Sequence, residues 1–122
     1  SMRTLRVTGK NALRITIPTE YARKVGLQKG QTVYIRLQGK ALVLSLSPPG
    51  MARKVLTTSR DYLALSIPKS WAERFPWFKR GSEFVPYVID GELWYIPLEE
   101  APKSGWEGNK APQPAIELEG AS

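Results

Sequence analysis

Apolar and polar side chains alternate over several short stretches of the chain, and this pattern predicts a mostly β protein. Residues 13–17 place apolar side chains at every second position, as a strand with one buried face does. Residues 33–37 and 42–46 repeat the alternation, and Gln38-Gly39 is predicted to turn the chain between them. Each stretch is therefore predicted to form a strand, the last two as a hairpin.

A short helix is predicted over residues 20–25, directly after the first of these strands. The spacing of Tyr21, Ala22 and Val25 puts all three on one face of a helix, which is the pattern of a helix that packs on a core. Gly26 follows at the position where glycine commonly ends a helix.

The chain repeats itself at an offset of 50 residues. Residues 8–25 match residues 58–75. With small insertions the match continues, and Gly30 then corresponds to Gly81. The identical pairs of the ungapped match are Thr8/Thr58, Leu13/Leu63, Ile17/Ile67, Pro18/Pro68 and Ala22/Ala72. We infer an internal duplication in which each unit is strand, strand, short helix, strand, strand.

The second copy carries its own capping and turn signals. Ser70 and Glu73 have the spacing of a capping box at the start of its helix, and Pro76 is placed to end that helix. Asp90-Gly91 is a strong signal for a two-residue hairpin turn. These signals predict the same order of elements as in the first copy.

The predicted domain organisation is two repeats that share one core, followed by a tail. A unit of about 45 residues is too small to bury an adequate core alone, so the two units must pack together. We place the first repeat at residues 2–47, a stiff linker at 48–52, the second repeat at 53–100 and a tail rich in proline and glycine at 101–122.

The composition excludes most enzyme and metal chemistry. The chain has neither cysteine nor histidine, which removes disulfides, thiol and histidine catalysis and nearly every zinc site. Asp61, Glu73 and Asp90 occupy predicted loop, cap and turn positions, which explain these carboxylates structurally. We therefore expect no catalytic activity and no cofactor.

The positive charge of the chain is concentrated in its first half. The formal net charge is +7, and residues 1–50 carry nine basic side chains against one acid, Glu20. Residues 51–100 carry seven of each sign, and residues 101–122 carry two basic and three acidic side chains. A basic half of this kind favours a polyanionic partner, nucleic acid more than a membrane surface.

The sequence predicts neither a membrane span nor an export signal. A spanning helix needs roughly 18 consecutive apolar residues, which the chain lacks. No positively charged start followed by an apolar run marks a signal peptide. We expect a cytoplasmic, nucleoid-associated protein that makes no membrane contact.

The order of these features resembles the AbrB/SpoVT/MazE superfamily of swapped-hairpin β-barrels. The shared pattern is a strand ending in Ile-Pro, a short basic helix ending in glycine, then Lys-Gly and a hairpin. Residues 5–46 follow it closely and residues 55–98 more loosely, and MraZ-type members also carry two copies in one chain. The resemblance implies a mostly β fold with two short helices, a swapped-hairpin (AbrB-like) β-barrel formed by two internal repeats in one chain.

The resemblance also implies a DNA-binding module whose basic face enters the major groove. In the superfamily, arginines near the start of the Ile-Pro strand and on the short helix supply many contacts. The matching positions here are Arg14 and Arg23. The chain departs from the family pattern at Leu13, where the family has glycine, and at Ala22, where it has a second helix arginine, for which Lys24 would substitute.

The predicted DNA-binding face is asymmetric, because the two copies differ in their outward charges. Arg14 of the first copy becomes Ala64 in the second, and Arg23 becomes Glu73, whereas the apolar skeleton is kept. Such a face suits contacts with the phosphate backbone. The predicted DNA-binding residues, with the first copy dominant, are Arg6, Lys10, Arg14, Arg23, Lys24, Arg60, Lys69 and Arg74.

Other partners stay open on the sequence alone. An antitoxin-like module would bind a protein partner through the tail, with Trp106 and the segment Ile116-Glu117-Leu118-Glu119, and a structured-RNA binder is a third alternative. A homodimer would bring two basic faces to one DNA duplex. Among the aromatic side chains of the second copy, Trp77, Phe78 and Trp94 are expected to be partly exposed, and a surface for a partner is left open as an alternative for them.

Overall fold

The computed structural model describes residues 3–58 and 60–101. In this part of the chain the strands are β1 (Leu5–Arg6), β2 (Leu13–Ile17), β3 (Thr32–Gln38), β4 (Ala41–Ser45), β5 (Met51–Lys54), β6 (Leu56–Thr57), β7 (Leu63–Ile67), β8 (Glu83–Ile89) and β9 (Glu92–Pro97). The helices are α1 (Thr19–Val25), α2 (Lys69–Arg74) and a single 3-10 turn at Leu98–Glu100. None of these helices is long and apolar enough to cross a membrane.

The strands form two curled sheets, each of which uses elements of both repeats. The larger sheet has the order β1-β8-β9-β4-β3-β5, and the smaller has the order β2-β7-β6. Strands of the first repeat pair with strands of the second at β1–β8, β2–β7 and β4–β9, all antiparallel. The predicted fold class is confirmed: the protein is mostly β with two short helices, and its curled half-barrel is consistent with a swapped-hairpin β-barrel.

The strands β2 and β7 are counterparts in the repeat, and they pair with each other symmetrically. Ile15 lies opposite Leu65, its own counterpart, and Leu13 lies opposite Ile67, the counterpart of Ile17. A local twofold axis therefore passes between Ile15 and Leu65. Because of this axis, the loop before β2 lies near the start of α2, and the loop before β7 lies near the start of α1.

The main hydrophobic core takes side chains from both sheets and from α1. Tyr95 of β9 is completely buried in it, and its hydroxyl donates a hydrogen bond to the backbone carbonyl of Thr16 in β2 at 2.8 Å. This bond ties the larger sheet to the smaller one. Burial raises the pKa of Tyr95 far above its ordinary value of 10.0, so the hydroxyl remains a donor at neutral pH.

Positive backbone φ angles mark the places where the chain turns. α1 ends at Gly26 with φ 81°, as predicted. Asp90 and Gly91, with φ of 51° and 78°, form the predicted turn between β8 and β9. The two residues between β3 and β4 are Gly39-Lys40, so this turn lies one residue later than predicted. Gly39 takes the positive φ of 60°, which glycine adopts at little cost.

The predicted capping box at the start of α2 is wrong. The helix begins at Lys69, directly after Pro68, and no side chain caps its first backbone N–H groups. Ser70 therefore lies inside the first turn rather than before it, where a capping hydroxyl has to be, and Glu73 has no capping partner there. α1 begins in the same way after Pro18.

Part of the predicted linker contributes to the larger sheet. Residues 51–54 form β5, which pairs with β3 so that Arg53 lies opposite Val33. The first two residues of this strand belong to the predicted linker at 48–52. The pairing with β3 fixes the position of Arg53 relative to the core.

Two of the three aromatic side chains predicted to be partly exposed are buried. Phe78 is 0% exposed and Trp94 is 4% exposed, and Phe78 makes an edge contact with Trp71. Trp77 is partly buried, and its indole N–H donates to the backbone carbonyl of Lys40 at 3.2 Å. Trp94 is buried because both faces of β9 are covered, and Phe78 also packs against Phe84.

A bidentate ion pair joins β3 to β9 across the larger sheet. The guanidinium of Arg36 donates to both carboxylate oxygens of Glu92, at 3.1 and 3.0 Å. This hydrogen bonding lowers the pKa of Glu92 below its ordinary value of 4.5. Because the folded-state pKa is lowered, the pair stabilises the fold fully above the unfolded-state pKa, and the contribution is lost as the pH falls through the lowered value.

We expect Glu92→Gln to remove part of the acid sensitivity of the fold. In the parent, the free energy of unfolding from urea titrations should fall as the pH drops below 4.5, the ordinary pKa of this carboxyl, and the Glu92 carboxylate becomes protonated. The variant should show a shallower fall over the same range. Glu99→Gln, which removes an exposed carboxylate, is the matched control, and an equal slope in both variants would contradict the assignment.

Candidate nucleic-acid interface

A cationic cleft lies between the loop that precedes β2 and the start of α2. It encloses about 530 Å³, and its lining includes five basic side chains and one carboxylate. The basic side chains are Lys10, Arg53, Lys69, Lys79 and Arg80, and the carboxylate is Glu73. Both repeats contribute to this lining.

The antiparallel pairing of β2 with β7 brings the first two cations together. Leu13, the first residue of β2, lies opposite Ile67, the last residue of β7. Lys10 lies in the loop before Leu13, and Lys69 begins α2 just after β7. Both lysines therefore reach the same end of the smaller sheet, although 59 positions separate 10 from 69 in the sequence.

The turn before β8 adds two further cations. The backbone N–H of Gly81 donates to the carbonyl of Val7 at 2.8 Å, which holds this turn against the first repeat. The guanidinium of Arg80 also donates to the carbonyl of Gly9 at 3.4 Å. Lys79 and Arg80 thereby reach the loop that precedes β2.

The loop before β2 is tight enough to require glycine at its start. Gly9 has φ 107°, and a Cβ atom at this position would lie 1.9 Å from the carbonyl oxygen of Ala12. Thr8 and Arg14 close the loop by exchanging two backbone hydrogen bonds of 2.9 and 2.8 Å. The position of Lys10 is therefore set by a rigid loop.

Nearby carboxylates do not neutralise the cations of this cleft. Within residues 3–58 and 60–101, none of its five basic side chains forms an ion pair, although Glu73 lies on the cleft wall. The Nε–H of Arg53 is buried and lacks a hydrogen-bond partner among the same residues. The Nε–H is thus shielded from the cleft, and Arg53 contributes to it through the charge of its guanidinium.

A second cleft lies at the symmetry-related end of the smaller sheet and differs in charge. It encloses about 440 Å³, and its lining includes Arg3 and Thr19, the counterparts of Arg53 and Lys69 at the offset of 50. Arg3 is ion-paired with Glu20 at 3.3 Å. This cleft therefore carries one cation and one carboxylate, whereas the cationic cleft carries several unpaired cations.

The structure gathers three of the eight predicted DNA-binding residues at the cationic cleft. Lys10 and Lys69 line it. Arg14 is exposed on β2 and lies opposite Ser66 of β7. Because cross-strand partners share a sheet face and Ser66 lines the cleft, Arg14 borders the cleft.

The other five predicted residues lie away from the cleft lining. They are Arg6, Arg23, Lys24, Arg60 and Arg74. Arg6 is ion-paired with Glu83 at 3.0 Å. Lys24 and Arg74 each lie over an aromatic ring of their own helix region, 5.6 and 5.2 Å from the ring centre. Arg23 and Arg60 are exposed.

Three cations of the cleft were not predicted from the sequence. Lys79 and Arg80 carried a usable signal, because two adjacent cations stand directly before the turn glycine Gly81. Arg53 carried none, since it lies at the predicted edge of the linker. All three reach the cleft only through strand pairing, β1 with β8 and β3 with β5.

Most of the charge in the cleft comes from the second repeat, whereas the sequence favoured the first. Among the described residues, the first repeat supplies one cation to the cleft lining, Lys10. Several arginines of the first repeat are neutralised by carboxylates instead, and these ion pairs are Arg3–Glu20, Arg6–Glu83 and Arg36–Glu92. A net charge summed along a segment does not register such pairing.

The chemistry available at the cleft is that of anion binding. Ammonium and guanidinium groups donate strong hydrogen bonds to phosphate and carboxylate oxygens. The described part of the chain contains no group of three or more acidic or other ligating side chains that could hold a metal ion. The arrangement is suited to binding an anion.

The first repeat matches a known protein family. Residues 6–53 match the family model described as antidote-toxin recognition MazE, bacterial antitoxin. No curated protein and no solved structure matches the chain. The matched segment runs from the end of β1 into β5 and contains Lys10, Arg14 and Arg53. Over these residues the chain is similar to the MazE antitoxins, a family related to the AbrB/SpoVT-like superfamily.

Proposed function

We propose that this protein binds duplex DNA by placing the cationic cleft and the neighbouring surface of β2 against the phosphate backbone. The observation that carries the proposal is the contrast between the two symmetry-related clefts. One holds five basic side chains without ion pairs in the described part of the chain, and the other holds Arg3 neutralised by Glu20. Charge therefore distinguishes two clefts that lie at symmetry-related ends of the smaller sheet.

DNA phosphates match the groups that the cleft presents. Each phosphate carries a negative charge and acceptor oxygens, and about half or more of the hydrogen bonds between proteins and DNA go to phosphate and sugar. Lys10 and Lys69 offer ammonium groups on the cleft wall, and Arg53 adds the positive charge of its guanidinium. Phosphate binding satisfies these donors and neutralises the cluster.

Arg14 is placed to reach past the backbone toward the bases. It is exposed on the outward face of β2, at the border of the cleft. An arginine can bind the major-groove edge of guanine with two hydrogen bonds. In this proposal the cleft contacts the DNA backbone, and Arg14 approaches the groove. It involves no catalytic step and no cofactor.

Fluorescence anisotropy with a labelled random-sequence duplex, titrated across salt concentration, tests the proposal. We expect binding at low salt, with the logarithm of the affinity falling by roughly 0.9 per contacted phosphate for each tenfold rise in salt. Arg14→Ala should weaken this binding substantially, because it removes the side chain to which the approach to the groove is assigned. Glu73→Ala should not weaken it, because the substitution removes a negative charge from the cleft wall.

Two outcomes of this titration would overturn the proposal. The first is no binding of the parent at low salt, and the second is equal affinity of the parent and both variants. An RNA duplex of the same length is measured in parallel, and tighter binding of RNA would replace DNA by structured RNA as the partner.

Toxin recognition is a second candidate function. The match of residues 6–53 to a family whose description names antidote-toxin recognition favours it. In this hypothesis a protein partner contacts the tail at 101–122, of which residues 102–122 lie outside the described part of the chain. Coexpression with a toxin encoded beside this protein, followed by size-exclusion chromatography, tests it. Separate elution of the two proteins would contradict this function.

A further inference from the structure

The larger sheet has a second apolar face, opposite to the main core. This outer face is formed by Ala41, Val43, Val85, Tyr87, Trp94 and Ile96, which belong to β4, β8 and β9. Trp94 lies opposite both Val43 and Tyr87 in the strand register, and Val85 lies opposite Ile96. Because cross-strand partners share a face, these side chains form one continuous apolar surface.

The outer face is buried, yet the described chain supplies little to cover it. Val43 is 0%, Ile96 is 1% and Trp94 is 4% exposed. Within the described ranges, the members of this apolar cluster that lie outside the strands are Leu98 and Ala101. One leucine and one alanine are too small to cover three strands that together span roughly 10 Å. A further layer must therefore lie over this face.

The surroundings of the outer face are those of a surface that packs against such a layer. Arg36 lies opposite Val43 in the register and is hydrogen-bonded to Glu92. Its guanidinium also lies 6.0 Å from the ring centre of Trp94. An apolar centre with a polar rim is typical of an interface and not of a sheet face left in water.

We propose that the C-terminal segment of this chain, residues 102–122, packs across the outer face of the larger sheet. Ala101, the last described residue, is 4% exposed and belongs to the apolar cluster, so the segment starts on this face. Twenty-one residues remain after it, and an extended chain of that length reaches about 70 Å. The four central strands of the sheet span only about 15 Å, so the segment is long enough to cross them.

The sequence of this segment contains the side chains that a cover needs. Trp106 is a large aromatic group, and Ile116 and Leu118 alternate with Glu117 and Glu119. This alternation is typical of a strand with one buried face. The same apolar groups would be required by a protein partner bound through the tail. The two contacts therefore exclude each other, and a partner that captured the segment would uncover the sheet.

Paramagnetic relaxation measured by NMR in the full-length chain tests this proposal. The chain has no cysteine, so Ser104→Cys and Ala115→Cys can each carry one nitroxide label. In ¹⁵N-labelled protein, the amide signals of Val43, Val85 and Ile96 are expected to be lost while the label is oxidised and to return after its reduction. Retention of all three signals with both labels would overturn the proposal.

A matched control and a mixed sample complete the experiment. Tyr62→Cys places the label at an exposed position in the loop before β7 of the smaller sheet and should leave the outer-face signals intact. In the mixed sample, ¹⁵N-labelled parent is combined with Ala115→Cys protein that carries the nitroxide and no ¹⁵N enrichment. The parent signals should persist, and their loss would show that a second copy covers the face, which would contradict the proposal.

Discussion

Replacing both Lys10 and Lys69 with glutamine is expected to weaken the binding of random-sequence duplex DNA about 30- to 100-fold at low salt. Each lysine lines the cationic cleft without an ion pair in the described part of the chain. A charge-assisted contact of this kind contributes on the order of 1–1.5 kcal/mol, and about 1.4 kcal/mol corresponds to a tenfold change in affinity. The salt slope should also decrease by about 2, because two phosphate contacts are lost.

The matched control for this variant is Lys29→Gln/Lys54→Gln. It removes the same charge from two exposed lysines that do not line the cleft. We expect the control to lose much less affinity and to keep the parental salt slope. If both double variants lost the same affinity, binding would depend on net charge alone, and the assignment to the cleft would be wrong.

Gly9→Ala is expected to lower the free energy of unfolding by about 2–3 kcal/mol. The added Cβ would lie 1.9 Å from the carbonyl oxygen of Ala12, and the φ of 107° is strained for any residue with a side chain. The loop must open to relieve this contact, which displaces Lys10 from the cleft. Urea unfolding monitored by circular dichroism measures the loss, and the anisotropy titration should show weaker DNA binding by the folded variant.

Gly30→Ala separates the steric contact from the cost of a positive φ. Gly30 also has a positive φ, of 81°, but a Cβ there would meet nothing within 4 Å. We expect this variant to lose only about 1 kcal/mol, the ordinary cost of the left-handed conformation. If the two variants were equally destabilised, the tight loop around Gly9 would not be the cause.

Local sequence signals predicted the elements whose causes are local. The alternation over 13–17 became β2, the helix at 20–25 became α1 with its end at Gly26, and Asp90-Gly91 formed the predicted turn. These features depend on neighbouring side chains and on the φ preferences of single residues. Each sheet contains strands from both halves of the chain, whereas the division into two repeats, a linker and a tail stays a prediction.

The predictions that failed concerned the residue at which a helix begins and the number of faces of a strand that are buried. The Ser70–Glu73 spacing predicted a capping box, but α2 starts directly after Pro68 and leaves Ser70 inside its first turn. Trp94 was expected to be partly exposed, whereas both faces of β9 are buried. In each case the local pattern was present, and the surrounding structure gave the residue a different role.

The sequence by itself determined that the protein is mostly β with two short helices, and it predicted a core shared by two repeats and a polyanionic partner. Only the tertiary structure determined which cations remain available to a partner. Arg6 is neutralised by Glu83, 77 positions away, whereas Lys10 and Lys69 meet in one cleft without ion pairs among the described residues. The physical reason is that electrostatic interactions depend on distances of a few ångströms in space, and those distances are set by strand pairing between the two repeats.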